Sequence, residues 1–125
     1  MTDEDALALA DRLCTAIERG DLDAVSDCYT DDFVSWANSD DRGSDKARSL
    51  RVLGWLCARL TDRRYEVRRR QPLPDGYLQE HVLHGTAPDG STVAMPACLV
   101  VTVTGDRIEV LVDAADPVGV AALSR

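Results

Sequence analysis

Residues 92–114 read TVAMPACLVVTVTGDRIEVLVDA, and this stretch decides the fold. Thr92–Thr104 and Arg107–Ala114 are rich in β-branched residues, and Gly105-Asp106 between them is a pair typical of a tight turn. The stretch therefore predicts a long antiparallel hairpin. Both alternating faces of its first strand are apolar, so both faces of the sheet need to be covered.

More strands are predicted upstream of the hairpin. Tyr77–Gly85 is the next strand back, after a turn at Pro72–Gly76, and Phe33–Trp36 is a β-type stretch farther upstream. Residues 63–70 alternate with a period of two. This alternation sets Tyr65, Val67 and Arg69 on one face and Glu66, Arg68 and Arg70 on the other.

Helical periodicity occupies most of the first half of the chain. A helix is predicted over roughly 3–19, where Gly20 ends it, and Asp21 is placed to cap a short second helix. A third helix is predicted over roughly 45–61, and Pro117 is expected to start a short terminal one. Helices followed by a meander of long antiparallel strands predict an α+β fold class.

Length and charge restrict the function. The 125 residues fit a single domain over 1–125, and the net charge of −8 argues against a nucleic-acid partner. No apolar run is long enough for a membrane helix, and the acidic N-terminus does not resemble a secretory signal, so we expect a cytoplasmic protein. The basic cluster around Arg68–Arg70 fits either a local anion site or an exposed strand whose charges stay solvated.

The cysteines do not predict a metal site. Cys14, Cys28, Cys57 and Cys98 are widely spaced, with no C-x-x-C pair and no histidine at ligand spacing. We therefore expect no metal and reduced, mostly buried thiols.

Several local strings, in their order and spacing, resemble the nuclear transport factor 2-like superfamily across nearly the whole chain. They are AIERGDLD at 16–23, YTDDF at 29–33, GDRI at 105–108 and VDAADP at 112–117. The resemblance implies a curved, mostly antiparallel sheet wrapped around N-terminal helices, forming a cone with an apolar pocket. It also implies a small hydrophobic ligand and a homodimer through the outer sheet face. The apolar outer face of Thr92–Thr104 independently favours that dimer.

The resemblance also selects candidate site residues. In limonene epoxide hydrolase-like and SnoaL-like polyketide cyclase members, an aspartate similar to Asp113 faces the cavity and acts as a base. The positions that carry an arginine and a second aspartate in those hydrolases are His81 and Leu83 here. Trp36-x-Asn38 is similar to their Tyr-x-Asn pair, with the tyrosine hydroxyl lost.

These residues lead to a hypothesis of cofactor-free acid–base chemistry of the isomerase, cyclase or epoxide hydrolase type. Asp113 and His81 would form a pair at the cavity floor, one acting as base and the other as acid. Asn38 would hold a water or polarise a substrate oxygen, and Trp36 would supply an aromatic wall. The other ligand contacts expected are Leu83, Cys98 and Leu111.

Simpler interpretations remain open at this point. Asp113 near a strand end fits a turn cap, and His81 fits a structural histidine. The losses at Leu83 and Trp36 favour a non-catalytic ligand-binding or dimerising accessory protein, and an interaction module without a pocket is a third alternative. Ketosteroid isomerase-type chemistry is disfavoured, because the oxyanion-hole positions of that family fall at Leu13 and Cys98 here.

Overall fold

A computed structural model describes residues 2–37, 43–115 and Leu123 of the chain. Helices lead and long strands follow, as the sequence predicts. The elements in chain order are α1 (Asp3–Arg19), α2 (Leu22–Asp27), β1 (Tyr29–Ala37), β2 (Ser44–Asp45), α3 (Lys46–Arg59), β3 (Thr61–Leu73), β4 (Gly76–Thr86), β5 (Thr92–Thr104) and β6 (Arg107–Ala115).

The helix ends follow their capping residues. Thr2 and Asp5 form a capping box, in which each side chain accepts a hydrogen bond from the other residue's backbone N–H at 3.0–3.1 Å. Gly20 ends α1 in the left-handed region with φ 68°, and Asp21 caps α2 by accepting from the backbone N–H of Ala24. The terminal helix predicted from Pro117 lies outside the described residues.

In the described part of the chain, six strands form one sheet in the order β2-β1-β6-β5-β4-β3. All neighbouring pairs are antiparallel except β1 and β6, which run parallel. The predicted α+β class with a mostly antiparallel sheet is confirmed. β1 extends well beyond the predicted Phe33–Trp36, because its first residue still pairs with β6 through Tyr29 and Ile108.

The main core lies between α1 and the inner face of the sheet. Leu9, Leu13 and Ile17 on the apolar face of α1 are buried, and Phe33 stacks in parallel on Tyr29 with ring centroids 3.8 Å apart. A second cluster closes one end of the sheet and consists of Leu60, Leu83, Ala87, Val93, Met95 and Leu123. No helix in the described ranges is long and apolar enough to cross a membrane.

A partly buried arginine joins the ends of two helices. Arg63 donates from Nε to the carbonyl of Ile17 at 2.9 Å and from Nη2 to that of Glu18 at 3.2 Å, both at the end of α1. Its Nη1 donates to the carbonyls of Cys57 at 2.7 Å and Leu60 at 2.5 Å, at the end of α3. One guanidinium thus donates to carbonyls at the C-termini of two helices, and the Ile17 carbonyl also accepts from the backbone N–H of Gly20.

Candidate functional site

A cavity of about 310 Å³ opens between the inner face of the sheet, α1 and α3. Its walls are mostly apolar, as is usual for pockets that take small molecules. Apart from tyrosines and Cys14, its polar lining residues are Ser35, Ser44, Ser49, Gln79, His81 and Asp113.

The strand register places the polar side chains in adjoining rows. Asp113 on β6 pairs with Leu99 on β5, which pairs with Gln79 on β4. His81 lies one row further on, opposite Ala97. Because strands are spaced by about 4.8 Å, Asp113 and His81 are separated by roughly 10 Å of sheet.

The direct Asp113–His81 pair that the sequence suggested is therefore not formed. Both residues lie in the described part of the chain and line one cavity, but no hydrogen bond or ion pair connects them. The physical reason is that β5 lies between their strands. Asp113 and His81 therefore differ in their hydrogen bonds and in the shifts of their pKa values.

Asp113 lines the cavity with one carboxyl oxygen that has no partner in the described part of the chain. Its Oδ1 atom is buried and has no hydrogen-bond partner among the described residues. Burial raises the pKa of Asp113 from 3.8 to about 6, because an ionised carboxylate loses its hydration there. A carboxylate with a raised pKa and a free lone pair is suited to accept a proton near neutral pH.

His81 is held as part of the cavity wall. Its Nδ1 lies 2.8 Å from Nε2 of Gln79, and its ring meets Tyr65 edge-on with centroids 4.9 Å apart. Burial, with a smaller contribution from the positive charge of Arg70, lowers the pKa of His81 from 6.5 to about 4. The imidazole is therefore neutral at physiological pH and can donate one hydrogen bond.

Arg70 was missed as a site residue by the sequence reasoning. Its side chain is only 16% exposed, and it donates from Nε to Oε1 of Gln79 at 2.9 Å. Its Nη1 also forms a close ion pair with Asp11, and Nη2 contacts Sγ of Cys14 at 3.7 Å. The basic cluster is thus neither one anion site nor one solvated strand, because Arg70 turns inward.

A register shift explains the inward turn. Between Val67 and Arg69 the pairing of β3 with β4 slips by one residue, which reverses the alternation downstream. Arg70 therefore shares the inner face with Tyr65, whereas simple alternation placed it with Glu66. Arg69, which simple alternation placed with Tyr65, lies instead on the outer face, where its side chain is 60% exposed and 4.0 Å from Glu80.

The other predicted ligand contacts have mixed outcomes. Leu83 and Leu111 line the cavity. Trp36 is among the lining residues but is 40% exposed and pairs with the exposed Val112, so it lies at the margin of the cavity and does not form an inner wall.

One expected contact does not line the cavity, and a second lies outside the described residues. Cys98, although in the described part of β5, does not line the cavity, because its neighbours Ala97 and Leu99 do and successive side chains of a strand point to opposite faces. Asn38 lies outside the described residues. Among the described residues, no group of three or more His, Cys, Asp or Glu side chains is arranged to hold a metal ion.

A family model for the SnoaL-like domain matches residues 10–111. The chain belongs to the SnoaL-like family. A comparison of its sequence with curated proteins finds no match. The family sits within the nuclear transport factor 2-like superfamily that the sequence strings resemble, so that prediction is confirmed.

Solved structures share the fold of this SnoaL-like domain at low sequence identity. An LEH-like epoxide hydrolase from M. tuberculosis is 20% identical, with 98% of this chain and 91% of that chain covered at a TM-score of 0.78. AclR from Streptomyces galilaeus, described as a hydroxylase, is 15% identical with 98% of both chains covered and a TM-score of 0.87. A protein described as a SnoaL-like polyketide cyclase from Shewanella putrefaciens is 14% identical, with 95% of both chains covered and a TM-score of 0.79.

Proposed function

We propose that this SnoaL-like domain is a cofactor-free acid–base enzyme that acts on a small hydrophobic metabolite, with Asp113 as the base. The observation that carries the proposal is the buried Oδ1 of Asp113, which lies at the wall of an open apolar cavity and has no partner within residues 2–37 and 43–115. Leaving a buried carboxyl oxygen without a partner costs stability, so its position is most simply explained by a function that uses it.

The chemistry follows from the two protonation states. Above about pH 6 Asp113 is ionised and takes a proton from an acidic C–H beside a ligand carbonyl, while the electron pair moves onto the carbonyl oxygen. The neutral imidazole of His81 donates a hydrogen bond to that oxygen. In this mechanism His81 stabilises negative charge and does not shuttle the proton.

Two reaction types begin with this step, and in a third Asp113 takes the proton from water instead. Return of the proton from Asp113 to a different carbon gives an isomerisation. Attack of the carbanion on a second carbonyl carbon, whose oxygen then takes the proton, gives a cyclisation. With water in place of the C–H, Asp113 takes a proton as the water oxygen bonds to an epoxide carbon, and the alkoxide released by C–O cleavage takes that proton up.

The shape and lining of the cavity indicate the substrate class. A volume of about 310 Å³ with mostly apolar walls fits a small hydrophobic molecule. Gln79, His81 and Asp113 form a polar stripe on the sheet side, so the ligand carries an oxygen function at that side. Likenesses to an epoxide hydrolase and to a polyketide cyclase support this general type of reaction.

The alternative is a ligand-binding protein without catalysis. Leu83 favours it, because an apolar side chain stands where similar hydrolases carry a second acid. A cavity packed full around Asp113 would have supported it further, but the cavity is open.

A substrate panel distinguishes the two functions. Wild-type protein is incubated in D₂O with small enolisable ketones and, separately, with apolar epoxides, and deuterium uptake and diol formation are measured. Turnover that disappears in Asp113→Asn supports the enzyme, whereas tight binding of panel members with no turnover supports the alternative.

Filling the cavity should block ligand binding. We expect Ala97→Phe to weaken binding of an environment-sensitive apolar dye by at least about tenfold, because Ala97 lines the cavity and the added ring occupies ligand space. Ala58→Phe, on the exposed surface of α3, is the control and should bind normally. Unchanged dye binding by a folded Ala97→Phe protein would place the ligand site elsewhere.

We also propose that the outer sheet face mediates a homodimer. Val100 and Val112 are paired neighbours on this face and are 42% and 43% exposed. Adjacent exposed valines in the middle of a sheet form an apolar surface that a second copy would cover.

A charge placed in that surface should dissociate the dimer. We expect wild-type protein to sediment as a dimer and Val112→Arg to raise the dimer dissociation constant at least about tenfold, because the arginine would be desolvated on association. Val67→Arg, which places an arginine on the opposite face of the sheet at the edge strand β3, where the valine is 40% exposed, is the control. Monomeric wild-type protein at micromolar concentration would refute the proposal.

A further inference from the structure

A chain of hydrogen bonds leads to the cavity from the exposed side chain of Asp11 on α1. It runs from Asp11 on α1 through Arg70 on β3 to Gln79 and His81 on β4. Gln79 is 1% exposed and His81 7%, so neither side chain can readily exchange these partners for bulk water. Asp113 takes no part in this chain.

The first link determines the orientation of the glutamine amide. A guanidinium can only donate hydrogen bonds, so the Gln79 atom that lies 2.9 Å from Nε of Arg70 must be the oxygen. The amide nitrogen is then the atom that faces Nδ1 of His81 at 2.8 Å, and it can only donate. Arg70 thus decides which end of the amide the histidine meets.

The second link determines the tautomer of the histidine. Because the amide N–H points at Nδ1, that nitrogen must accept, and the proton of the neutral ring must be on Nε2. A proton on Nδ1 would set two donors against each other at hydrogen-bond distance. A reversed amide would do the opposite and place the proton on Nδ1.

We propose that Arg70 is a positioning residue, which fixes the amide of Gln79 and thereby keeps His81 as a neutral Nε2–H donor toward an oxygen of the ligand. The role of this donor in catalysis rests on the proposed function, whereas the tautomer of His81 can be measured without any substrate. It narrows the substrate to a compound whose reacting oxygen accepts a hydrogen bond, such as a ketone or an epoxide.

The charged and titratable groups around His81 agree with that role. Tyr65 on β3 packs edge-on against the ring, and the thiol of Cys14 on α1 lies 3.5 Å from Nε2 of Gln79. Asp113 faces the same cavity from β6, beyond β5. Arg70, which forms an ion pair with Asp11, has a positive charge that opposes protonation of the ring.

The tautomer is directly measurable in the full chain. We expect ¹⁵N NMR of wild-type protein to show His81 as the Nε2–H tautomer across about pH 5.5–8. In Arg70→Met the amide is free to rotate, so the Nδ1–H form should appear and the pKa of His81 should rise by at least about one pH unit. The chain has only two histidines, so His84→Asn assigns the spectrum.

Arg69→Met, on the opposite face of β3, is the matched control and should leave the His81 signals unchanged. A second variant keeps the test decisive if Arg70→Met does not fold. In Gln79→Glu the carboxylate pairs with Arg70 but can only accept, so the proton should move to Nδ1 or the ring should become doubly protonated.

Wild-type tautomer and pKa in both folded variants would overturn the role of Arg70, whatever the activity. If a substrate is found, Arg70→Met should lower kcat roughly tenfold with little change in KM, because the lost donor acts on developing charge. Correct NMR shifts without any turnover would leave the positioning role standing and refute the proposed enzyme instead.

Discussion

Replacing Asp113 with asparagine is expected to reduce turnover by about 10²–10⁴-fold, the range typical for loss of a general base. Asparagine has nearly the same shape but cannot take a proton at neutral pH, so binding of the ligand should change little. The fold should be retained, because Oδ1 of Asp113 has no hydrogen-bond partner to lose among the described residues. Steady-state kinetics and circular dichroism of both proteins measure these effects.

The wild-type pH profile gives an independent check on the base. Because the pKa of Asp113 is raised to about 6, kcat/KM should rise as pH increases through about 6 and then level off. Asp106→Asn, an exposed aspartate in the β5–β6 turn, is the control and should retain both rate and profile. Full turnover by Asp113→Asn would refute the assignment of the base.

Asp113→Asn should also change how the stability of the protein depends on pH. The folded-state pKa of Asp113 lies above its ordinary value of 3.8, so the folded protein holds this proton more tightly, and stability falls as pH rises from about 4 to 6. Asparagine removes that loss. The free energy of unfolding of the variant, measured relative to wild type, should therefore be on the order of 1–2 kcal/mol higher at pH 7 than at pH 4. This figure allows for the partial exposure of Asp113.

Replacing Arg63 with alanine should destabilise the protein by about 3–5 kcal/mol. The guanidinium donates to four backbone carbonyls at the ends of α1 and α3, and its removal leaves them without these donors. Its positive charge also interacts favourably with the negative ends of both helix dipoles. Urea unfolding at constant pH, with the midpoint and slope fitted separately, measures the loss.

Two neighbouring variants isolate this effect. Arg64→Ala removes an exposed arginine one residue away and should change stability by less than about 0.5 kcal/mol. Arg63→Lys keeps the charge but has one donor group, so it should lie between wild type and Arg63→Ala. A loss below about 1 kcal/mol for Arg63→Ala would show that water replaces the guanidinium at little cost.

Elements of this fold could be predicted where local chemistry fixes them. Gly20 and Asp21 end one helix and start the next, and Gly105-Asp106 separates two strands whose bounds match the structure closely. The inner position of Asp113 was also expected, through its resemblance to the aspartate of related proteins. These features depend on residues close in sequence or on a family pattern.

What the sequence could not provide is the relation between strands. Thr92–Thr104 is apolar on both faces, so composition alone does not show that Ala97 and Leu99 face inward and Cys98 outward. The order of the strands, with β5 between β4 and β6, separates Asp113 from His81 and has no local signal.

The inward turn of Arg70 was beyond sequence reasoning for a related reason. A register shift in β3 reverses which alternate residues face the core, and no glycine or proline in 65–70 marks it. Gln79 and His81, two polar residues that alternate with Tyr77 and Leu83 on one face of β4, were the available signal, because a buried amide needs partners. It indicates a polar network but does not identify the arginine that completes it.

The parallel pairing of β1 with β6 has a consequence for biosynthesis. β1 emerges from the ribosome early, yet β6, with which it pairs, is the last strand described here. The meander of β3, β4 and β5 can therefore assemble while the edge of β1 that pairs with β6 is still unpaired. The wall that carries Asp113 is completed only with β6. The cavity that Asp113 lines is therefore complete in a nascent chain only after nearly all of the sheet has been translated.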